Sequence, residues 1–347
     1  VEYKDKGRGF FRVSYIDEAT GRRKYRRLCD SKASLSQIWQ SYETKKPKQI
    51  ISFRTLSNDF MLTPRWRELS NLTKNDYEFC HKKICETIAG DRLFGDVPIS
   101  SWKISHVLKY RDFRGEDSKS RANKELAYIK LVLAWAKLYE KIPENIALGV
   151  PKLRTPPRQH YAEEKDYNFF LNVARESNYW YLAPILELAY ECRMRSIEVL
   201  NMTDANELPE GLLIKRNKGS RDNITLWSDN LRKIWENAKA KRNKILVNKK
   251  LVRQFDPEKR YIFISERGGV SISSRALKTA KNRVDQIAIE KANALGINFV
   301  PFTIHDVKRR GISDTTGDKM AASGHRSQSM MNIYDVSTAK VKPTSEK

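Results

Sequence analysis

The chain has little of what metal and thiol chemistry require: among 347 residues there are 4 cysteines and 5 histidines. Cys29, Cys80, Cys85 and Cys192 form no Cys-x-x-Cys pair and show no zinc-ligand spacing, so a zinc-built domain is not expected and the thiols read as reduced, as in a cytoplasmic protein. The longest apolar run, residues 179–190, is too short to span a bilayer and contains Glu187, and no secretory signal is visible. There is no phosphate-cradling G-x-x-x-x-G-K-[ST] loop, no H-E-x-x-H, and no acidic cluster suited to two metals, which disfavours a metal-dependent nuclease. Acidic residues are also scarce: 42 Asp and Glu stand against 66 Lys and Arg, a net charge of +24. Such a field favours a polyanion, nucleic acid first, with a ribosomal or chromatin-type binder as the plainer alternative. No basic amphipathic membrane anchor stands out.

The length allows two or three domains with real cores. The chain opens at Val1 and is expected to have lost what preceded it. Residues 1–50 read as a small basic unit: a strand at residues 9–16, turn chemistry at 17–21, then a strand carrying Arg22, Arg23, Lys24, Arg26 and Arg27. A basic β-ribbon enters a DNA groove, while an edge hairpin uses the same charges against aggregation, and both readings stand. Residues 51–148 read as helical, most clearly over 120–140, where Ala122, Leu126, Ile129, Leu133 and Ala136 form an apolar stripe. Cations on the other faces, Arg121 and Lys124 among them with Lys74, Lys82, Lys83, Arg111, Arg114 and Lys119, are expected as a group to contact phosphates. Residues 149–160 are a linker by composition, with three prolines and the cations Lys152, Arg154 and Arg158.

Residues 161–347 form the last unit. Arg195 and Glu198 sit between apolar runs, which predicts a half-buried arginine in need of a carboxylate or a phosphate. Residues 212–216 and 223–227 read as a hairpin with Lys218 where its first strand ends, and residues 260–265 as a third strand. Then comes residues 301–336, PFTIHDVKRRGISDTTGDKMAASGHRSQSMMNIYDV. His305 and Lys308 share a helix face, and Tyr334 follows His325 by nine residues. A cation-lined pocket with a tyrosine at its edge suits nucleophilic attack on a phosphodiester.

This segment resembles the C-terminal signature of tyrosine recombinases of the phage-integrase type: His-x-x-Arg, Gly-His, then the nucleophilic tyrosine. Upstream, Cys192-Arg-Met-Arg-Ser-Ile-Glu198 resembles the family's first box, and the hairpin resembles the one that bears its lysine. The residues depart from the family pattern at Lys308 (usually arginine), Arg193 (usually glycine) and Ser323 (usually leucine). Lysine is a point charge without the guanidinium fork, and Arg309 or Arg310 is the candidate to supply it. The 51–148 region, including the Asn123-Lys-Glu-Leu and Ala134-Trp-Ala runs, resembles the family's core-binding domain, and residues 1–50 its arm-type DNA-binding unit.

The resemblance implies a mainly α fold with small β-sheets (α+β), with a helical core-binding domain and a catalytic domain that runs to the chain end. It implies Tyr334 as nucleophile, Arg195 and Lys308 with His325 on the non-bridging oxygens, His305 as general base or phosphate donor, and Lys218 as general acid. Glu198 and Arg309 would support them. No metal or other cofactor is implied. The partners implied are double-stranded DNA at attachment-type sites, three further copies in a homotetramer, and DNA-bending or excision accessory proteins, in a nucleoid-associated bacterial or phage setting. A type IB-like topoisomerase, or an integrase-derived DNA binder impaired by Lys308, are the alternatives.

Overall fold

The structure, a computed structural model, describes residues 2–5, 8–16, 22–45, 51–156, 160–217, 219–251 and 253–337. Lys218, expected as general acid, and Arg158, expected on DNA, lie outside the described residues. The chain divides into two compact units, residues 1–156 and 157–347.

The first unit opens with an antiparallel sheet of β1 (Glu2–Asp5), β2 (Arg8–Ile16) and β3 (Arg23–Asp30), in the order β1-β2-β3. The register shifts where Phe11 faces Cys29 and Arg12 faces Arg27, which places the extra residue of a bulge in β3. The cations are set against aromatic rings: Arg12 over Tyr25 at 4.2 Å, Arg27 over Phe10 at 4.8 Å and Arg26 over Tyr15 at 5.4 Å. Helix α1 (Leu35–Lys45) follows, its start fixed by reciprocal bonds between Ser34 and Gln37.

Next come α2 (Phe53–Met61), α3 (Pro64–Arg67), α4 (Asn71–Glu86), a two-stranded ribbon of β4 (Ile88–Ala89) and β5 (Arg92–Leu93), and the long α5 (Ile104–Leu138). The apolar stripe read from the sequence is the buried side of α5; Ala122, Leu126, Ile129, Leu133 and Ala136 are all within 1% of full burial. Beside them Phe53, Phe60, Trp102 and Tyr128 pack ring on ring. Helical geometry breaks at Ser118 (φ −162°, ψ 107°), which divides α5 just before the 120–140 stretch. Residues 149–156 are not a free strap throughout: Asn123 exchanges two 2.8 Å bonds with the Leu153 backbone, and Arg111 donates to the Pro151 carbonyl at 2.7 Å.

The second unit is built from α6 (Glu164–Glu176), α7 (Leu182–Glu191), the short α8 (Ser196–Leu200), the hairpin β6 (Gly211–Ile214) and β7 (Asn223–Leu226), α9 (Asp229–Asn248), α10 (Ser274–Ala294), α11 (Ile304–Ser313), α12 (Lys319–Ser323) and α13 (Gln328–Tyr334). Helix α7 is apolar on nearly every side and lies in the middle of the core with Phe170, Trp235, Phe263 and Val307. The expected third strand at 260–265 does not form. That segment makes only isolated bridges, Thr203 with Tyr261 and Ile264 with Ser271, while Ile262 and Phe263 are drawn into the core. The mainly α architecture with small sheets is otherwise as expected. No helix among the described residues is long and apolar enough to cross a membrane.

Candidate active site

Helix α11 begins at a capping box. Thr303 Oγ1 accepts from the Asp306 backbone N–H at 3.2 Å, and the Asp306 carboxylate accepts from the Thr303 N–H at 2.8 Å. From residue 306 to 313 every side chain of α11 is buried. Gly311 permits this: a Cβ there would stand 2.3 Å from the Tyr190 carbonyl of α7, so the helices meet backbone to backbone. Lys308 is thereby carried to full burial, 0% exposed. Its Nζ has no hydrogen-bond partner among the described residues. His305, one turn earlier, lies at the exposed rim.

The C-terminal segment folds back over this helix. Gly324 ends α12 in the left-handed region (φ 71°), and its carbonyl accepts from the Arg221 N–H at 2.8 Å, which ties the segment to the hairpin loop. His325 follows, 5% exposed, with Nδ1 2.8 Å from Ser323 Oγ and no partner for Nε2 among the described residues. Helix α13 then presents Tyr334. Its ring centre lies 4.7 Å from that of His325 and 5.1 Å from that of His305, with Lys308 Nζ at 5.5 Å and the Arg309 guanidinium at 6.0 Å. The helix end is anchored through Asp335, whose carboxylate accepts from Lys319 Nζ at 2.9 and 3.0 Å, while the same ammonium donates to the Ser313 carbonyl of α11.

Arg195 caps α8 and is held by Glu198: the carboxylate accepts from the Arg195 N–H and from its guanidinium, both at 2.7 Å. The expected half-buried arginine with a carboxylate partner is what the fold provides. Sequence reasoning missed Arg216, read only as the end of a strand. Its terminal nitrogens donate to the carbonyls of Cys192, Arg193 and Ala322, to Asn223 Oδ1 and to Glu198, joining the Arg195 turn, the hairpin and the Gly324–His325 turn. No sequence signal marks such a residue, because its partners are mostly backbone carbonyls far apart in the chain.

Electrostatics follow from this crowding. Burial, then the Lys308, Arg195 and Arg216 charges, lower His325 to about 4, so its imidazole is neutral near pH 7. His305 is lowered by the packing around its ring and then by Lys308 and Arg309. Burial, then the Arg195 charge, lower Lys308 to about 7. Burial alone pushes Glu198 up, but the Arg195 backbone bond, Lys308 and the two guanidiniums outweigh it and leave the carboxyl below its ordinary range.

Of the supporting cations, Arg309 donates to the His160 carbonyl at 3.0 Å. Arg310 is engaged by Asp314 and lies over the rings of Tyr167 and Tyr190. In the first unit Arg22, Arg23, Lys24 and Arg27 are exposed, Arg26 is half-buried, and Lys152 and Arg154 are exposed. Arg121 and Lys124 both pair with Asp76, at 2.9 and 2.8 Å, and each remains about half exposed. Arg114, grouped with them from its sequence, is instead turned inward onto Glu125. Among the described residues no group of three or more His, Cys, Asp or Glu side chains is placed to hold a metal ion.

By sequence, the chain matches no protein-family model and no curated protein. By structure, it resembles a lambda integrase dimer bound to a COC′ core site with a TM-score of 0.64 at 16% identity, over 98% of this chain and 97% of that one. It resembles a lambda integrase tetramer bound to a Holliday junction with a TM-score of 0.63 at 16% identity, over 93% and 91%. For the Tn1549 transposon integrase in complex with circular intermediate DNA the TM-score is 0.61 at 15% identity, over 83% and 96%. The chain thus shares the fold of the lambda and Tn1549 integrases.

Proposed function

We propose that this protein is a site-specific DNA recombinase that cleaves and rejoins DNA through a 3′-phosphotyrosyl intermediate. The observation that carries the reading is the packing of Tyr334 against His305 and His325 with the buried Lys308 beside them, on a fold shared with DNA-bound integrases. Tyr334 Oη attacks the scissile phosphorus and passes its proton to His305. Arg195, Lys308 and His325 face the non-bridging oxygens, where donors held in place before the reaction stabilise the charge of the transition state. The 5′-oxygen leaves with a proton from Lys218. Glu198 fixes the Arg195 guanidinium, and Arg309 adds positive charge behind the tyrosine.

The phosphotyrosyl bond conserves the phosphodiester linkage, so a 5′-hydroxyl from another duplex reverses the step and exchanges strands. Four copies on two duplexes, passing through a Holliday junction, complete the exchange. The exposed cations of the first unit, Arg22, Arg23, Lys24, Arg27, Arg121, Lys124, Lys152 and Arg154, hold the duplex by its phosphates.

If the protein integrates or excises a mobile element, the test is a nicked duplex carrying that element's end sequence, run on a denaturing gel. A slow protein–DNA band that disappears in Tyr334→Phe is expected, and joined products from two such sites separate recombination from relaxation. Tight binding with no covalent band on any candidate end would leave a DNA-binding protein without this chemistry.

A further inference from the structure

Around Tyr334 the described residues gather more positive charge than the buried Glu198 carboxylate can answer. Glu198 is already filled: Oε1 accepts from the Arg195 guanidinium at 2.7 Å and the Asn217 N–H at 3.2 Å, and Oε2 from the Arg195 N–H at 2.7 Å and Arg216 at 3.4 Å. Four donors occupy the roughly four lone-pair sites of a carboxylate. Lys308 makes no hydrogen bond to it and feels the carboxylate only through its field. The other charged groups that act on Lys308 are Arg195 and Arg216, both cations, and His305, Arg309, His325 and Tyr334 pack around the same site. Asp306, its near neighbour in sequence, is held in the Thr303 cap.

A buried cation without an anion or acceptor is unfavourable, and the strain is relieved by the group able to lose a proton. Guanidiniums do not deprotonate in proteins, whereas lysine does. Burial and the Arg195 charge lower the Lys308 ammonium to about 7, in agreement with its geometry.

We propose that Lys308 is a phosphate ligand charged by its own substrate: it stands as a neutral amine in the free protein and takes one proton from solvent when a phosphodiester enters the site. This rests on the reading above that a phosphodiester lies between Arg195 and Tyr334. The entering phosphate supplies the missing anion and raises the lysine again, so positive charge is complete only with DNA in place. An arginine at this position would be charged throughout.

The experiment is calorimetric titration of the full chain carrying Tyr334→Phe, so that no chemistry follows binding, with the nicked duplex at about pH 8 in two buffers of different ionisation enthalpy. The same titration is made with Lys308→Arg and with Lys308→Met added. Proton uptake per DNA should be close to one greater with Lys308 than with either substitution, and the difference should vanish near pH 6, where the amine is already protonated. In the protein with Tyr334 intact, cleavage of the nicked duplex at DNA concentrations well below saturation should fall about tenfold per pH unit above about pH 7. Lys308→Arg should flatten that fall.

Equal proton uptake in all three proteins would overturn the proposal. So would a cleavage rate that rises with pH and is lost in Lys308→Arg, because that pattern makes the amine a proton acceptor for Tyr334. If no Tyr334-dependent adduct forms at any pH between about 6 and 9, the recombinase reading fails instead. The Met variant keeps the comparison available should the guanidinium not fit.

Discussion

Each unit buries an ionisable group, and the two are treated in opposite ways. In the first, Glu125 is 0% exposed on α5 and fully answered: it accepts from Tyr110 Oη at 2.8 Å and from Arg114 at 3.0 and 3.1 Å. In the second, Lys308 is equally buried, and its Nζ has no hydrogen-bond partner among the described residues. His325 Nε2, in the same site, also lacks a partner. A buried charge with all its partners holds a fold in one register. A buried charge without them is tolerated only where the surrounding fold pays for it, and such groups gather where a ligand of the opposite sign is to be received.

The largest effect should come from breaking the satisfied group. Glu125→Ala strands the Arg114 guanidinium, apart from Asp117, and leaves the Tyr110 hydroxyl without its acceptor. Removing one partner of a buried pair costs about 3 to 5 kcal/mol. Hydrogen exchange of the α5 amides should show that loss, and a loss below about 1 kcal/mol would mean that Glu125 is not the register-fixing group.

The second effect depends on pH. His325 lies at about 4 in the folded chain, below the ordinary imidazole value near 6.5. Below that ordinary value the unfolded chain binds a proton that the folded site refuses, so stability falls as pH drops from about 6.5 towards 4. Denaturant midpoints of the second unit should decline over that window, and His325→Gln should remove part of the slope. An unchanged slope would show that the acid loss belongs to other groups.

Much of this site was legible in the sequence through the resemblance of residues 192–198 and 301–336 to the tyrosine-recombinase signature, and the Thr303 capping box, the Gly324 helix end and helix periodicity shape each of those segments locally. Burial of the 120–140 stripe was legible from helix periodicity. The role of Arg216 was not. Neither was the failure of residues 260–265 to form a strand, since Ile262 and Phe263 gain more in the core than in a ladder with no full-length neighbour. Inward-facing Arg114 and outward-facing Arg121 are one class of residue in sequence, and only the Ser118 break and the position of Glu125 separate them.

A third test reverses the first. Lys308→Met nearly keeps the length of the side chain and removes a buried amine that has no hydrogen-bond partner among the described residues, so stability should rise, by about 1 to 2 kcal/mol. Covalent adduct formation should be lost in the same variant. Thermal unfolding reads the first change and the nicked-duplex gel the second. Destabilisation would mean that the ammonium has a stabilising role in the free protein.

The smallest expected effect concerns the turn that presents Arg195. Arg193 sits in the left-handed region (φ 51°), which glycine adopts without cost and an arginine does not. Glycine there would relieve about 1 kcal/mol of backbone strain. It would also give up the bonds from the Arg193 side chain to Thr315 Oγ1 at 2.9 Å and to the Glu191 carbonyl at 2.6 Å. Each is worth about 1 kcal/mol, and glycine adds entropy to the unfolded chain, so the terms nearly cancel and net stability should move by no more than about 1 kcal/mol. The carbonyl of residue 193, which receives Arg216, belongs to the backbone and survives the change. Adduct formation by Arg193→Gly should therefore match the parent, whereas Arg193→Val, β-branched at a positive φ, should lose both stability and rate. If the glycine variant instead loses rate while staying folded, then the tether from Arg193 to Thr315, and not the shape of the turn, sets where Arg195 stands.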